Sequence, residues 1–206
     1  MSDTPANYDR FERMKAIRDE LLTFKESPLY EYRTQNHYFP VIGEGSHHAH
    51  IMFIGEAPGE NEAKQGRPFC GAAGRILDEL LTSIGLQRKD VYITNIVKDR
   101  PPENRDPTPE EIALYAPFLD RQIKIIQPKA IATLGRFSTA YVMDRMGIGD
   151  KVTQISAMHG HCYIAQTDWG EINIVPLYHP AVALYNGSMR ETLKEDFQVI
   201  QLHSWL

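Results

Sequence analysis

Four short apolar segments, each followed by a segment with helical spacing, constrain the fold of this chain more than any other feature. The apolar segments are predicted strands at residues 50–54, 91–94, 130–134 and 172–178. Strands that alternate with helices form a parallel sheet, and right-handed crossovers place the helices on both of its faces. The sequence therefore predicts an α/β fold, a three-layer α/β/α sandwich with a central, mainly parallel four-stranded sheet.

Apolar residues at helical spacing predict the layers that cover this sheet. The predicted helices lie at about residues 8–26, 72–84, 109–127, 137–145 and 190–203. Thr108 fits the N-cap of the third helix, and Glu111 completes a capping box with it. Residues 27–49 show no regular pattern, and residues 147–171 are predicted to contain a hairpin.

Composition places the chain among ordinary globular proteins, because 42% of its 206 residues are hydrophobic and 24% are charged. No apolar run approaches the length of a membrane span, and no secretory signal is visible. Two cysteines cannot form a disulfide framework. We therefore expect one domain over residues 1–206, with an N-terminal helical segment at 1–26. We also expect a monomer that acts in the cytoplasm and has no membrane partner.

Charge argues mildly against a protein that wraps nucleic acid extensively. The net charge is −5, whereas a broad phosphate-binding face is normally basic. Local positive charge does occur at Lys98, Arg100 and Arg190. On charge alone, solvated loop residues are the better interpretation of these side chains.

Polar residues follow three of the predicted strands. Glu56, Asn95 and His179 each stand where a strand ends. The carboxyl ends of parallel strands share one sheet edge, where ligands bind, so these side chains are expected to converge on one cleft. Taken singly, each has an ordinary alternative: Glu56 could be a solvated turn residue, Asn95 a cap, and His179 a structural histidine.

The turn after the first strand, Gly55-Glu56-Ala57-Pro58-Gly59, lacks both the dinucleotide and the P-loop phosphate-binding patterns. Its glycines allow the backbone to approach a ligand closely. Phe69 follows a proline on a nearby loop and is a candidate stacking platform for a planar ligand, although a core role is commoner for such a residue. His47, His48 and His50 complete no recognised metal spacing, so no metal site is predicted.

Several short motifs occur together in a fixed order. They are Gly43-Glu44-Gly45, Gly55-Glu56-Ala57-Pro58-Gly59, Gly66-Arg67-Pro68-Phe69, Gly71-Ala72-Ala73-Gly74, Tyr92-Ile93-Thr94-Asn95-Ile96-Val97-Lys98, Arg100-Pro101-Pro102-Glu103-Asn104-Arg105, Leu134-Gly135 and His179-Pro180-Ala181. In these motifs the chain resembles the uracil-DNA glycosylase superfamily, closest to family 4, over about residues 20–200.

The resemblance implies hydrolysis of the N-glycosidic bond of uracil in DNA, with the base flipped out of the stack. By resemblance, Glu56 and His179 are the catalytic residues: Glu56 positions water or faces the cationic sugar, and His179 stabilises the departing base. The residues expected to bind the base are Gly55, Ala57, Phe69 and Asn95. The residues expected to face DNA are Lys98, Arg100, Ala181, Leu184, Tyr185 and Arg190.

The chain departs from the family where that family holds a four-iron, four-sulfur cluster through four cysteines. The aligned positions here are Phe24, Ser27, Asp99 and Tyr115. We therefore predict that no cluster is present and that aromatic packing replaces it.

Two further departures affect the predicted site. A carboxylate pair of the family is reduced to Glu62 beside Ala63, and Tyr185 stands where an arginine is common. Two alternatives stay open: excision of another deaminated base, such as hypoxanthine or xanthine, and non-catalytic binding of uracil-containing nucleic acid. The joint presence of Glu56, Phe69, Asn95 and His179 favours the glycosylase.

Overall fold

The computed structural model describes residues 5–202, and side chains within residues 9–201. Its centre is a six-stranded sheet in the order β1-β3-β2-β4-β6-β5. The strands are β1 (Glu44–Gly45), β2 (Ile51–Gly55), β3 (Tyr92–Asn95), β4 (Ala130–Leu134), β5 (Tyr163–Thr167) and β6 (Gly170–Leu177). The four inner strands are parallel, whereas β1 and β5 pair antiparallel at the two edges.

The predicted α/β fold with a mainly parallel sheet is confirmed, and the four predicted strands form its parallel centre. The predicted number of strands was too low, because the sheet also has two edge strands. β5 belongs to the hairpin expected within residues 147–171, and it pairs with β6. β1 has only two residues, too few to show an alternating pattern, and it lies in the segment 27–49 that showed no regularity.

Helices cover both faces of the sheet. They are α1 (Pro5–Leu22), α2 (Tyr30–Gln35), α3 (Glu60–Gln65), α4 (Ala72–Ser83), α5 (Pro109–Ile126), α6 (Arg136–Arg145), α7 (Ile155–Met158), α8 (Val182–Tyr185) and α9 (Met189–Leu202). The capping box of α5 is present as predicted: Thr108 Oγ1 accepts from Glu111 N at 3.2 Å, and Glu111 Oε2 accepts from Thr108 N at 2.8 Å. The predicted end of the last helix, residue 203, lies outside the described residues.

Alternation along β2 divides the core into two layers. Met52 and Ile54 pack in one cluster with α1, α5 and α6, while Ile51 and Phe53 pack in the other with α4 and α9. Successive side chains of a strand point to opposite faces, so the buried run 51–54 serves both layers. Within residues 5–202, no helix combines the length and apolar character that crossing a membrane requires.

Candidate active site

A cavity of about 580 Å³ lies at the carboxyl edge of the parallel strands. Glu56, Phe69, Asn95 and His179 all line it, although they are up to 123 residues apart in the chain. Glu56 directly follows β2, Asn95 ends β3, and His179 follows β6 by two residues. The sheet edge therefore brings the four side chains together as the strand pattern led us to expect.

Asn95 is buried, at 1% exposure, with its side chain in the cavity wall. Among the described residues, its Nδ2 is the one buried side-chain polar atom that has no hydrogen-bond partner. An unsatisfied buried donor costs about 1–3 kcal/mol, so it requires an explanation. A ligand acceptor in the cavity would supply the missing bond.

Gly55 and Phe69 form the surroundings of that amide. A Cβ on Gly55 would stand 2.4 Å from Asn95 Oδ1 and 2.7 Å from Phe69 Cζ, so only glycine fits there. The Phe69 ring is 6% exposed and belongs to the core, yet it also lines the cavity. The core and stacking interpretations of Phe69 are thus compatible, because the ring packs against the hydrophobic core and also borders the cavity.

His179 is neutral over the physiological pH range, because burial lowers its pKa to about 4 while Glu62 opposes this weakly. Its Nδ1 accepts a hydrogen bond from the Ala181 backbone N–H at 3.2 Å. That bond fixes the tautomer that carries its proton on Nε2. The ring centroid lies 5.6 Å from that of Phe69. The cavity therefore contains a neutral hydrogen-bond donor beside an aromatic ring.

Glu56 differs from His179 in that its pKa lies near neutrality. Burial and the nearby Asp106 carboxylate together raise its pKa to about 7, with Arg136 partly opposing them. A carboxyl group with a pKa near neutrality can exchange protons at the pH of the cell, which is the behaviour of a general base. Glu56 is thus a cavity residue whose pKa lies near neutrality.

Sequence reasoning assigned no role to other cavity residues, among them Glu62 and Asp106. Glu62 Oε1 accepts from Gly71 N at 2.8 Å, which ties α3 to the loop that carries Phe69. Asp106 lies on the proline-rich loop after β3, and no role was predicted for it. The start of this loop at a strand end was the available signal, because such loops form the same sheet edge.

Lys98 was expected to face DNA, and the structure places it in the core with 0% exposure. Its ammonium donates to Thr94 Oγ1 at 2.7 Å, to the Asn95 carbonyl at 2.7 Å and to Gln122 Oε1 at 2.6 Å. Burial lowers the pKa of Lys98 well below its usual value. Lys98 is therefore neither a DNA contact nor a solvated loop charge. Its ammonium instead stabilises the end of β3 through hydrogen bonds within the core.

Arg100 is also less accessible than a phosphate contact requires, at 9% exposure. It donates to Tyr38 Oη at 2.8 Å and to Asn104 Oδ1 at 2.8 Å. Because these hydrogen bonds occupy the guanidinium, Arg100 is not part of the proposed DNA-binding surface.

Of the remaining residues predicted to face DNA, one lines the cavity and three are exposed at the surface. Ala181 lines the cavity, and α8 follows it directly. Leu184 is 44% exposed and Tyr185 is 89% exposed. Arg190 is half exposed and lies 3.5 Å from Glu79.

In this α/β/α sandwich, the cavity at the sheet edge contains an aromatic ring, an unpaired amide donor and a neutral histidine. These are features of proteins that bind a planar heterocyclic base. The model of the uracil DNA glycosylase superfamily matches residues 42–201. The chain belongs to the uracil DNA glycosylase superfamily.

Curated relatives agree with this assignment. The chain is 48% identical over 191 residues to the type-4 uracil-DNA glycosylase of Sulfurisphaera tokodaii, covering 92% of this chain and 84% of the relative. It is 42% identical over 190 residues to that of Archaeoglobus fulgidus, covering 92% of each. It is 41% identical over 194 residues to that of Thermotoga maritima, covering 93% of this chain and 94% of the relative.

The side chains at the four positions that the resemblance aligns with cluster cysteines do not fit an iron–sulfur cluster. Asp99 forms a buried ion pair with Arg33 at 2.9 Å, with 0% and 4% of the two side chains exposed. The Tyr115 hydroxyl donates to Asp99 and lies 2.7 Å from Ser27 Oγ, and the Phe24 ring meets the Tyr115 ring edge-on at 5.6 Å. Iron–sulfur clusters require thiolates, and these side chains offer none.

The replacement differs from the expected one in its chemistry. Aromatic packing was predicted at these positions, and the structure adds a polar network centred on Asp99. Arg33 also donates to the carbonyls of Leu21 at 2.9 Å and Leu22 at 3.0 Å, so the network joins the end of α1 to the loop after β3. Among the described residues, no group of histidine, cysteine and acidic side chains could hold a metal ion.

Proposed function

We propose that the protein hydrolyses the N-glycosidic bond of deoxyuridine in DNA, as a monofunctional glycosylase without a covalent intermediate. The observation that carries the proposal is the buried Asn95 Nδ2, which lacks a partner and lines a cavity shared with Phe69 and His179. The O4 carbonyl of a flipped uracil supplies an acceptor for this donor, while its ring stacks on Phe69.

The same contact explains the choice between pyrimidines. Cytosine carries an amino group where uracil carries O4, so two donors would face each other at Asn95. A buried donor that is left unpaired penalises the wrong base strongly. Gly55 allows this amide to lie against the cavity wall, since any larger residue would displace it.

Bond cleavage leaves positive charge on the sugar and negative charge on the departing base. We assign the second charge to His179, whose neutral Nε2–H donates to the base oxygen that accumulates it. We assign the first to Glu56, whose carboxylate faces the sugar and positions the water that attacks C1′. Attack of the water at C1′ accompanies breakage of the C1′–N1 bond, and one water proton passes to Glu56. Uracil leaves as the anion and takes up a proton from solvent, so the products are free uracil and an abasic site.

Flipping requires that the protein support the distorted duplex. Leu184 and Tyr185 are exposed on α8, which directly follows the cavity residue Ala181. Proteins that distort a duplex often insert apolar side chains into the base stack. We assign to them, with Ala181 and Arg190, the contact with DNA around the extruded nucleotide.

We further propose that the protein works without an iron–sulfur cluster. Asp99 and Tyr115 stand at two of the positions that the resemblance assigns to cluster cysteines, and a hydrogen-bonded network with Arg33 holds them. An absorbance scan and an iron assay on protein purified without oxygen test this directly. We expect no broad visible band and no stoichiometric iron, and a cluster bound at these positions would contradict the proposal.

The activity is tested with single- and double-stranded oligonucleotides that carry one uracil or one hypoxanthine. Alkali then cleaves the strand at each abasic site. Scission at uracil alone supports the proposal, and scission at hypoxanthine would extend the substrate range. Tight binding without scission would instead identify a non-catalytic binder.

Replacing Asn95 with aspartate should lower the preference for uracil over cytosine by about tenfold or more, because an acceptor then faces uracil O4. The measurement is the ratio of single-turnover excision rates on matched duplexes that contain either base. Thr94→Ser is the matched control, because it changes the preceding residue but retains the hydroxyl that contacts Lys98. An unchanged uracil/cytosine ratio in Asn95→Asp would remove Asn95 from base selection.

The excision rate should rise with pH to a plateau, with a midpoint near the Glu56 pKa of about 7. His179 does not titrate in this range, because its pKa is lowered to about 4. Glu56→Gln should abolish the pH-dependent rise and leave a slow, flat profile. A wild-type rate that is constant between about pH 6 and 8 would contradict the assignment of Glu56 as base.

The same substitution should stabilise the fold at high pH. Since folding raises the pKa of Glu56, its stabilising contribution is present at low pH and is lost as pH rises through about 7. Chemical denaturation should therefore show Glu56→Gln to be more stable than wild type at about pH 8 and nearly equal at about pH 4. Glu20→Gln, at an exposed carboxylate whose pKa is lowered by Arg121, should show no such gain.

A further inference from the structure

The aromatic ring in the cavity depends on an unusual backbone conformation. Phe69 has a φ of 48°, in the left-handed region that residues with a side chain seldom adopt. Such a conformation persists only where neighbouring groups hold it in place. The groups that hold Phe69 therefore determine where its ring faces the cavity.

One guanidinium binds the backbone on both sides of this residue. Arg88 Nη1 donates to the Pro68 carbonyl at 2.9 Å, and Arg88 Nη2 donates to the Phe69 carbonyl. Its Nε donates to Asp78 Oδ1 at 2.6 Å, which fixes the plane of the group. The planar fork of arginine suits this pattern, because its donors point to several acceptors at once.

Arg88 itself is held in a defined position. It begins a short 3₁₀ turn at Arg88–Asp90 that carries a capping box between Gln87 and Asp90. The Arg88 side chain is 17% exposed. On the far side of the loop, a Cβ on Gly74 would lie 1.7 Å from the Phe69 carbonyl oxygen, so α4 closes against the same group. The Phe69 carbonyl is thus enclosed between Arg88 and Gly74.

We propose that Arg88 is a positioning residue for base recognition, acting through Phe69. It does not line the cavity and so does not contact the base. Its two hydrogen bonds keep Phe69 in the left-handed conformation, which holds the ring 5.6 Å from the His179 ring and against Gly55. The proposal rests on the proposed function, because the ring's task there is to stack on uracil.

The first test is the single-turnover rate of uracil excision. Arg88→Met should slow it by about 10- to 100-fold, the scale of losing one or two charge-assisted hydrogen bonds. Arg88→Lys, which retains the charge but not the fork, should give an intermediate rate. Arg67→Met is the matched control. Arg67 pairs with Glu44 at 2.9 Å, as Arg88 does at 3.5 Å, yet no hydrogen bond joins the Arg67 side chain to the Phe69 carbonyl. It should keep the wild-type rate.

A double-mutant cycle with Phe69→Ala separates positioning from general stabilisation. If Arg88 acts through Phe69, Arg88→Met should slow the Phe69→Ala protein by much less than it slows wild type. The inhibition constant of free uracil should show the same coupling between Arg88 and Phe69. This constant measures binding in the base pocket without a contribution from DNA contacts. Equal slowing in both backgrounds would show that Arg88 serves only the fold and would overturn the proposal.

Amide hydrogen exchange provides a readout independent of catalysis. The Arg67 and Gly71 amides are hydrogen-bonded to Glu62 at 3.3 Å and 2.8 Å, so they report on the loop. Arg88→Met should speed their exchange, and Glu20→Gln should not. If wild-type protein leaves uracil in place, the proposed function fails, and unchanged exchange in Arg88→Met would then refute the role of Arg88 separately.

Discussion

Replacing Asp99 with asparagine should lower the free energy of unfolding by about 3–5 kcal/mol, the scale of breaking a buried ion pair from one side. The substitution preserves the shape of the side chain and removes its charge. It leaves the buried Arg33 guanidinium without a counter-charge, and it also weakens the bond from Tyr115. Urea denaturation at neutral pH measures the loss.

The exposed ion pair between Glu20 and Arg121 provides the control. Its side chains are 51% and 42% exposed, so Glu20→Gln should cost less than about 1 kcal/mol. A loss in Asp99→Asn no larger than in this control would show that the network does not stabilise the fold. Removing both charges, as Arg33→Met with Asp99→Leu, should recover much of the stability, since an apolar pair avoids the desolvation cost.

Replacing His179 with alanine should slow uracil excision by about two orders of magnitude, the usual cost of removing one donor to a developing negative charge. The loss should fall on the single-turnover rate at saturating enzyme, because the donor acts mainly when charge accumulates on the base. Affinity for uracil-containing DNA should change little.

His159→Ala is the matched control for His179→Ala. His159 is also partly buried and pairs with Asp196 at 2.9 Å, but it does not line the cavity. Its loss should leave the excision rate near that of wild type. Wild-type turnover in His179→Ala would remove that residue from the mechanism, whatever its position in the cavity.

The sequence alone predicted where the site would form. Glu56, Asn95 and His179 each follow an apolar run with the length of a buried strand, and parallel strands place such residues at one edge. The capping box at Thr108 and Glu111 was equally accessible from sequence, since it depends on residues three apart. The site prediction used only the lengths and positions of the apolar runs, and the cap prediction used only residues three apart in the chain.

The local pattern failed where burial depends on distant partners. Lys98 follows a strand within a basic segment, and that position suggested an exposed cation. Its three acceptors include Gln122, 24 residues away on α5, and only the packed fold brings them together. The network at Asp99 has the same origin, since Arg33 is 66 residues distant.

The sequence by itself determined the order of strands and helices, the sheet edge where the cavity lies, and the residue types around it, because these follow from periodicity and short-range chemistry. Tertiary structure alone decided which charges are buried, that the Arg33 guanidinium pairs with Asp99, and that Arg88 binds the backbone carbonyls around Phe69. Those outcomes depend on desolvation and on hydrogen bonds between segments far apart in the chain, which no local pattern specifies.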